Sequence, residues 1–174
     1  MSGIILSAIA CCLYGADTEV LTSPHGNCEA RIVQEIGHAQ QTIRVEAYTL
    51  TSKPMLAALV AAQARRVQVT LIIDGNYGRK TSLHAMDALQ AAGAVVVIDS
   101  QEDEHGGIAH IKCVLIDGLL VMAGSYNWTG QANTRNHEAL FLITAPTVLT
   151  AMTADFQLHF QHSHPYVPVP APKP

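Results

Sequence analysis

A histidine and a lysine stand two residues apart in the second half of the chain, and a serine and an asparagine follow them. The stretch from His110 to Asn127 reads HIKCVLIDGLLVMAGSYN. If residues 111–116 form a strand, His110 and Lys112 point to the same face, because side chains alternate along a strand. A neutral imidazole can attack phosphorus, and an ammonium group beside it can neutralise a phosphate oxygen. The pair therefore indicates chemistry on a phosphate.

The Asp117-Gly118 pair predicts a tight hairpin between two apolar strands, which returns the chain toward His110. The Ser125 hydroxyl and the Asn127 amide can then donate hydrogen bonds to the same phosphate oxygens. Gly124 permits a close approach of the backbone. Because Asp117 lies in the turn, a structural role is favoured for it over an acid or base role.

This spacing resembles the HKD motif of the phospholipase D superfamily, H-x-K-x4-D-x6-G-S-x-N, at every fixed position. The resemblance implies that His110 forms a covalent phosphohistidine. Family members commonly carry an acidic residue downstream that holds a ring nitrogen of the catalytic histidine. Glu138 matches it, so the resemblance implies that Glu138 orients His110. A solvated glutamate at a strand edge is the alternative.

The resemblance covers roughly residues 19–160. Within it, segments 23–26 and 44–51 look like the beginning of small bacterial endonucleases that carry a single HKD motif. Cleavage through a phosphohistidine needs a second group that protonates the leaving oxygen. Since one motif is present, the resemblance implies a homodimer whose two copies of His110 share one site. His105, in the loop before the motif, is the competing in-chain acid.

Hydrophobic periodicity predicts strands over 19–22, 42–49, 67–73 and 94–98, with helices over 28–39, 53–65 and 82–92 between them. Asn27 and Ser52 are the expected N-caps. Strands over 111–116, 119–123 and 138–143 and a helix over 146–162 follow. The alternation predicts an α/β domain with a mixed, largely parallel sheet flanked by helices on both faces, the α-β-α sandwich that the resemblance also implies.

The ends of the chain are predicted to lie outside a phosphodiesterase domain of residues 17–163. The apolar run at residues 4–14 is too short to span a bilayer but suits a signal peptide, although no Lys or Arg precedes it. Residues 1–16 are therefore expected to direct export to the periplasm or medium. An N-terminal arm on a cytoplasmic protein is the alternative. The Pro-rich residues 164–174 are expected to be extended and mobile.

Composition is that of a globular protein, with 49% hydrophobic and 14% charged residues. A net charge of −4 argues against a general nucleic-acid coat, so any polyanion must bind a local patch. Cys28 and Cys113 are expected to be buried, with their pairing open. No metal or cofactor is predicted, because no ligand spacing is visible and Lys112 supplies a positive charge.

Loops at the carboxyl ends of parallel strands build the site in such sheets, and several predicted loops there are basic. These cations could line a phosphate track or be ordinary solvated charges; they are Lys53, Arg79, Lys80 and Arg135. A phosphate track favours an endonuclease acting on DNA, with RNA open as a substrate.

Two other functions stay open at this point. A phospholipase or cardiolipin hydrolase acting on membrane lipid would need an apolar lip, for which Leu50, Met55, Tyr77 and Trp128 are candidates. Trp128 could equally stack on a base. The third function is a nucleic-acid-binding module with an inactive site, against which the intact motif argues.

Overall fold

The computed structural model describes residues 17–100 and 106–168. The expectations for the segment 1–16, for His105 and for residues 169–174 lie outside the described residues. Within the described part, no helix is long and apolar enough to cross a membrane.

One sheet of eight strands organises the described chain. In sequence order the strands are β1 (Thr18–Ser23), β2 (Thr42–Ala47), β3 (Gln68–Asp74), β4 (Val95–Asp99), β5 (Lys112–Ile116), β6 (Leu120–Gly124), β7 (Glu138–Ile143) and β8 (His164–Pro165). Their spatial order is β1-β7-β6-β5-β2-β3-β4-β8. The sheet therefore places β5 beside the central β2, and β6 on the other side of β5.

The predicted α/β class is confirmed, but the sheet is less parallel than expected. Only β2-β3 and β3-β4 pair in parallel. The other neighbouring pairs are antiparallel. The reason is connectivity: helices join β2 to β3 and β3 to β4, whereas a hairpin joins β5 to β6. The first strand pairs with β7 at the far edge of the sheet, not with the parallel unit.

Helices cover both faces of this sheet. They are α1 (Cys28–His38), α2 (Lys53–Ala64), α3 (Tyr77–Thr81), α4 (Leu83–Ala91), α5 (Gly130–Thr134) and α6 (Pro146–His162). Ser52 caps α2 as predicted, since its side chain accepts a hydrogen bond from the Met55 amide. Asn27 occupies the predicted N-cap position of α1, but its backbone is left-handed and its side chain makes no capping hydrogen bond. The short α3 and α5 were not predicted, because one turn shows no periodicity.

Two apolar layers lie on opposite faces of the sheet. The larger includes Ile32 of α1, Leu59 of α2 and Leu89 of α4, packed with Val45 and Leu71 of the sheet. The smaller lies under α6 and joins its Phe156 to Ile72, Cys113 and Leu115. A sheet that is covered by helices on both faces needs apolar side chains on both, and these two layers supply them.

The two described cysteines belong to different layers. Cys28 is in the larger layer and Cys113 in the smaller. Both are buried, as expected, and both are free thiols. Burial raises the pKa of each thiol, so neither is a reactive thiolate.

The beginning of the predicted tail is anchored, so the expectation of a mobile segment from residue 164 is wrong for residues 164–166. His164–Pro165 pairs with β4 as an edge strand. Tyr166 is only 3% exposed. Its hydroxyl donates to Asp87, 2.7 Å away, and its carbonyl accepts from Gln90. The prediction from proline content failed here because burial of the Tyr166 ring holds this part of the segment against the domain.

Candidate active site

The site begins at the hairpin of β5 and β6, which are antiparallel with Cys113 opposite Ala123. Ile116 faces Leu120, so the loop holds Asp117, Gly118 and Leu119, one residue more than the predicted two-residue turn. The hairpin still returns the chain as expected, and residues 124–127 follow β6 toward the start of β5.

The Asp117 carboxylate ties this hairpin to the beginning of β2. It accepts hydrogen bonds of 2.8 Å from the backbone N–H groups of Gln40, Gln41 and Thr42. Asp117 also has a positive φ of 54°, which Asp and Asn tolerate better than other residues. The motif aspartate thus lies at the turn end of the hairpin and holds backbone amides.

Replacing Asp117 tests this positioning role. We expect Asp117→Ala to lower the free energy of unfolding by about 2 kcal/mol, since three amides lose a charged acceptor. Asp117→Asn should lose less, because it keeps one acceptor oxygen and accepts the positive φ. Urea unfolding measures both losses. Loss of turnover in Asp117→Ala without loss of stability would instead give this residue a direct part in the reaction.

His110 lies just before β5, exposed to solvent on one side and against an aromatic pair on the other. Its ring meets Tyr48 edge to face at a centroid distance of 4.6 Å. Tyr48 in turn stacks on Tyr77, with centroids 5.3 Å apart. Partial burial and the Lys112 charge lower the pKa of His110, against an opposing effect of Asp74. The lowered pKa favours the neutral form of the imidazole, which is its nucleophilic form.

Lys112 is 6% exposed, which is unusual for an ammonium group. Its Nζ donates to the His110 carbonyl and lies 5.1 Å from the centre of the Tyr48 ring. Burial lowers the pKa of Lys112 to about 8, while the charges of Glu138 and Asp74 act in the opposite direction. The structure thus brings together His110 and Lys112, the pair on which the sequence interpretation rests.

Asp74 is a site residue that the sequence interpretation missed. It is buried at the carboxyl end of β3. One oxygen accepts from the Ala109 amide at 3.1 Å, and the other accepts from the amides of Gly78 at 2.9 Å and Asn76 at 3.3 Å. Asp74 therefore fixes the segment before His110 against α3. Its position after an apolar strand of a parallel unit was the available signal.

Ser125 and Glu138 form a contact of their own. The Ser125 hydroxyl donates to Glu138 at 2.6 Å and accepts from the Ala139 amide at 3.1 Å. The second Glu138 oxygen accepts from Asn136 at 2.9 Å. No hydrogen bond joins Glu138 to His110 in the described residues. The expected contact between carboxylate and imidazole is therefore not made within the single chain.

Asn127 and Gly124 complete the motif. The Asn127 side-chain oxygen is buried and accepts no hydrogen bond from the described residues. At Gly124 a Cβ atom would lie 2.1 Å from the Ala139 carbonyl oxygen. Glycine is thus required because β6 approaches β7 closely; the predicted close approach is to a neighbouring strand.

The predicted basic rim is exposed, whereas the predicted aromatic contact is not. Lys53, Arg79, Lys80 and Arg135 all reach solvent. Trp128 is 2% exposed and packs in the larger core layer, so the expectation that it contacts nucleic acid is wrong. Its backbone instead accepts hydrogen bonds at the beginning of α2.

Burial also removes two side chains from the predicted apolar lip. Leu50 and Met55 are 1% and 0% exposed, because Leu50 and the buried face of α2 that carries Met55 both belong to the larger core layer. Of the predicted lip residues, only Tyr77 is exposed, at 52%. It borders an open groove whose lining residues mostly carry polar side chains, among them Thr49, Thr51, Thr81, Thr134 and Arg135.

Comparison with known proteins identifies the family to which this chain belongs. The sequence model of the family described as cardiolipin synthase, PLD-like domain, matches residues 32–160. A phospholipase D of Rickettsia bellii is 36% identical over 121 residues, which cover 70% of this chain and 58% of that protein. A mitochondrial cardiolipin hydrolase of Xenopus tropicalis is 26% identical over 136 residues, 78% of this chain and 62% of that protein. The chain thus spans about 60% of the length of these relatives.

Among solved structures, Nuc from Salmonella typhimurium, a phospholipase D family member, superposes with a TM-score of 0.80 at 29% identity. The match covers 87% of this chain and 99% of Nuc. NucT from Helicobacter pylori has the same fold, with a TM-score of 0.77 at 18% identity. Together with the His110 hairpin, these matches show that the chain belongs to the phospholipase D superfamily.

Proposed function

We propose that this protein hydrolyses phosphodiester bonds without a metal ion and that its substrate is a nucleic acid, DNA or RNA. The observation that carries the proposal is the juxtaposition of His110 with the buried Lys112 against the ring of Tyr48. An imidazole with a lowered pKa is a nucleophile at neutral pH, and an ammonium group in a poorly solvated position attracts a phosphate anion strongly.

The reaction runs in two displacements. A ring nitrogen of His110 attacks phosphorus, a P–N bond forms, and the P–O bond to the leaving alcohol breaks as an acid protonates that oxygen. Water then gives a proton to the same group and attacks phosphorus, which breaks the P–N bond and restores His110. Lys112, Ser125 and Asn127 stabilise the charge on the phosphoryl oxygens. Ser125 would turn from Glu138 to the substrate for this purpose.

The acid in this scheme is the His110 of a second copy of the chain, which is protonated while the attacking copy is neutral. Support comes from the sequence, in which no other histidine is followed by a lysine two residues on. His110 is also exposed, so a second copy can reach the same phosphate. In this proposal Glu138 contacts an imidazole of the assembled pair once Ser125 has turned to the substrate, because that turn frees the carboxylate oxygen to which Ser125 donates.

Mixing subunits tests the shared site. Wild-type and His110→Ala chains are unfolded together, refolded in known ratios and assayed. We expect the activity to fall with the square of the wild-type fraction, because a mixed pair lacks one of the two histidines. A linear fall, or an active monomer in sedimentation, would show that one chain is sufficient and would return the acid role to an in-chain group.

Nucleic acid is favoured by the groove that Tyr77 borders, since Tyr77 stacks on Tyr48 and Tyr48 contacts His110. Threonine hydroxyls and Arg135 line it, and Tyr77 offers an exposed ring on which a base could stack. Exposed Arg79 and Lys80 add positive charge to α3, the same short helix that begins at Tyr77. The overall charge is negative, so attraction of a polyanion depends on this local patch.

A membrane phospholipid is the second candidate substrate. The curated relatives are named phospholipase D and mitochondrial cardiolipin hydrolase. Ile108, two residues before His110, is 46% exposed and could join Tyr77 in an apolar contact. The deciding assay offers plasmid DNA, RNA and cardiolipin vesicles in excess EDTA. DNA or RNA cleavage supports the proposal, lipid cleavage alone favours the second candidate, and no cleavage of any substrate favours an inactive binding module.

The lowered pKa of Lys112 predicts how anion binding at the site depends on pH. Sulfate mimics a phosphate but keeps its charge between pH 7 and 10. Because Lys112 is charged below pH 8 and neutral above it, we expect the inhibition constant of sulfate to rise above pH 8 by up to tenfold per pH unit. Initial rates at constant ionic strength measure this constant.

Two variants serve as controls for the pH dependence. Lys112→Arg keeps its charge throughout the range and should flatten the alkaline rise. Lys80→Gln removes an exposed lysine and should leave the pH dependence unchanged. An alkaline rise that persists in Lys112→Arg would assign the titration to another group.

A further inference from the structure

A second group of titratable side chains lies under the last helix, outside the site described above. Glu46 extends from β2, and Asp155 and His159 lie one turn apart on α6. One ligand atom from each residue lies within 4.8 Å of the others. His159 Nδ1 is 3.2 Å from Glu46 Oε1, and His159 Nε2 is 4.0 Å from Asp155 Oδ1. The sequence did not suggest this cluster, because its members come from distant parts of the chain.

Glu46 is the unusual member of this cluster. Its side chain is 1% exposed, yet neither carboxylate oxygen accepts a hydrogen bond from any described residue. The facing His159 Nδ1 is also buried and makes no hydrogen bond there. A buried polar group without a partner is costly, and native structures rarely keep one without a bound ion, water or ligand.

The charges around Glu46 are mostly negative. Burial and the carboxylates of Asp155 and Asp99 raise the pKa of Glu46 to about 8. Asp99 lies 3.9 Å from His159 Nδ1 and 3.2 Å from His162 Nε2. Three carboxylates therefore converge on two imidazoles, an arrangement that a divalent cation would stabilise.

We propose that Glu46, Asp155 and His159 bind one divalent transition-metal ion, with Zn²⁺ as the best match. One imidazole nitrogen and two carboxylate oxygens leave a fourth tetrahedral position for water. Such ligands bind Zn²⁺ at about 2.0–2.2 Å, so the side chains must close slightly around the ion. Hard cations such as Mg²⁺ and Ca²⁺ suit the imidazole less well.

The ion would connect elements that otherwise meet mainly through apolar contacts. Glu46 belongs to the central strand β2, whereas Asp155 and His159 belong to α6, the helix that covers the smaller core layer. Binding to the folded state alone would stabilise the docking of α6 on the sheet. The site is thus structural, and the hydrolytic reaction at His110 does not pass through it.

Metal titration of the EDTA-treated, full-length, untagged protein tests the site. Calorimetry with ZnCl2 should give one ion per chain, and Zn²⁺ should raise the melting temperature. CoCl2 should give the visible absorption of a tetrahedral site. Hydrolysis in EDTA, assayed well below the melting temperature, should not change. Absence of stoichiometric Zn²⁺ binding would overturn the proposal.

Variants decide whether these residues hold the ion. Asp155→Asn and His159→Gln should each weaken Zn²⁺ binding roughly tenfold or more. Glu46→Gln should do the same; if it does not fold, the partly exposed Asp155 still provides the test. His84→Gln, an exposed histidine of α4, is the matched control and should bind like the wild type. Unchanged Zn²⁺ affinity in Asp155→Asn and His159→Gln would place the ion elsewhere.

Discussion

Replacing His110 with alanine is expected to reduce phosphodiester hydrolysis by roughly 10⁴-fold or more, the scale seen when a covalent nucleophile is lost. In the proposed pair the change removes both the nucleophile and the acid, so no compensating route remains. The measurement is kcat/KM with an activated phosphodiester and with plasmid DNA. His110 is exposed, so the variant should fold and melt like the wild type.

The matched control for this change is His84→Ala, which alters an exposed histidine on α4. It should keep full activity. A loss below tenfold in His110→Ala, with intact folding, would remove this residue from the nucleophile role.

Lys112→Met should lower kcat/KM by roughly 10²- to 10³-fold, the range for loss of one preorganised charge at a reacting centre. The same change should keep or raise the melting temperature. Lys112 is 6% exposed and its pKa is lowered to about 8, so its charge is destabilised where it lies. Methionine fills a similar volume without that cost.

Activity and stability must therefore separate in this variant. Parallel assays of kcat/KM and thermal melting measure the separation, with His84→Ala, which lies outside the proposed binding patch, as the exposed control. A Lys112→Met protein that is unstable in proportion to its loss of activity would show that this lysine supports the fold. A residue under catalytic demand, in contrast, is retained although it lowers stability.

The local elements of the fold were predictable because their signals are local. The periodicity of residues 138–143 and 146–162 gave β7 and α6 with the observed bounds. The pairing of β1 with β7 and of β8 with β4 was not predictable, since it joins remote segments. Antiparallel neighbours added at both edges are the reason that the sheet is less parallel than expected.

The site was predictable as far as the motif extends. Spacing alone identified His110 and Lys112, whose juxtaposition the structure then shows. The supporting residues were missed because tertiary packing creates their roles. Tyr48 contacts His110 from a neighbouring strand, and Asp74 holds the segment before it through backbone amides. Trp128 was misread for the same reason, since the sequence pattern does not show that it is buried.

The substrate is the part that the motif does not specify. His110 and Lys112 recognise a phosphodiester and say nothing about the two alcohols it joins. That choice depends on the groove lined by threonines and Arg135 and on the exposed Tyr77 and Ile108. Polar lining favours a nucleic acid, and the two exposed apolar side chains are the features that a lipid would use.

The central claim is that His110 is transiently bonded to phosphorus. The most direct test is the stereochemical course of hydrolysis of a chiral phosphorothioate diester in isotopically labelled water. Two successive in-line displacements, first by His110 and then by water, predict net retention of configuration at phosphorus. Net inversion would mean that water attacks the substrate directly, and it would contradict the phosphohistidine mechanism.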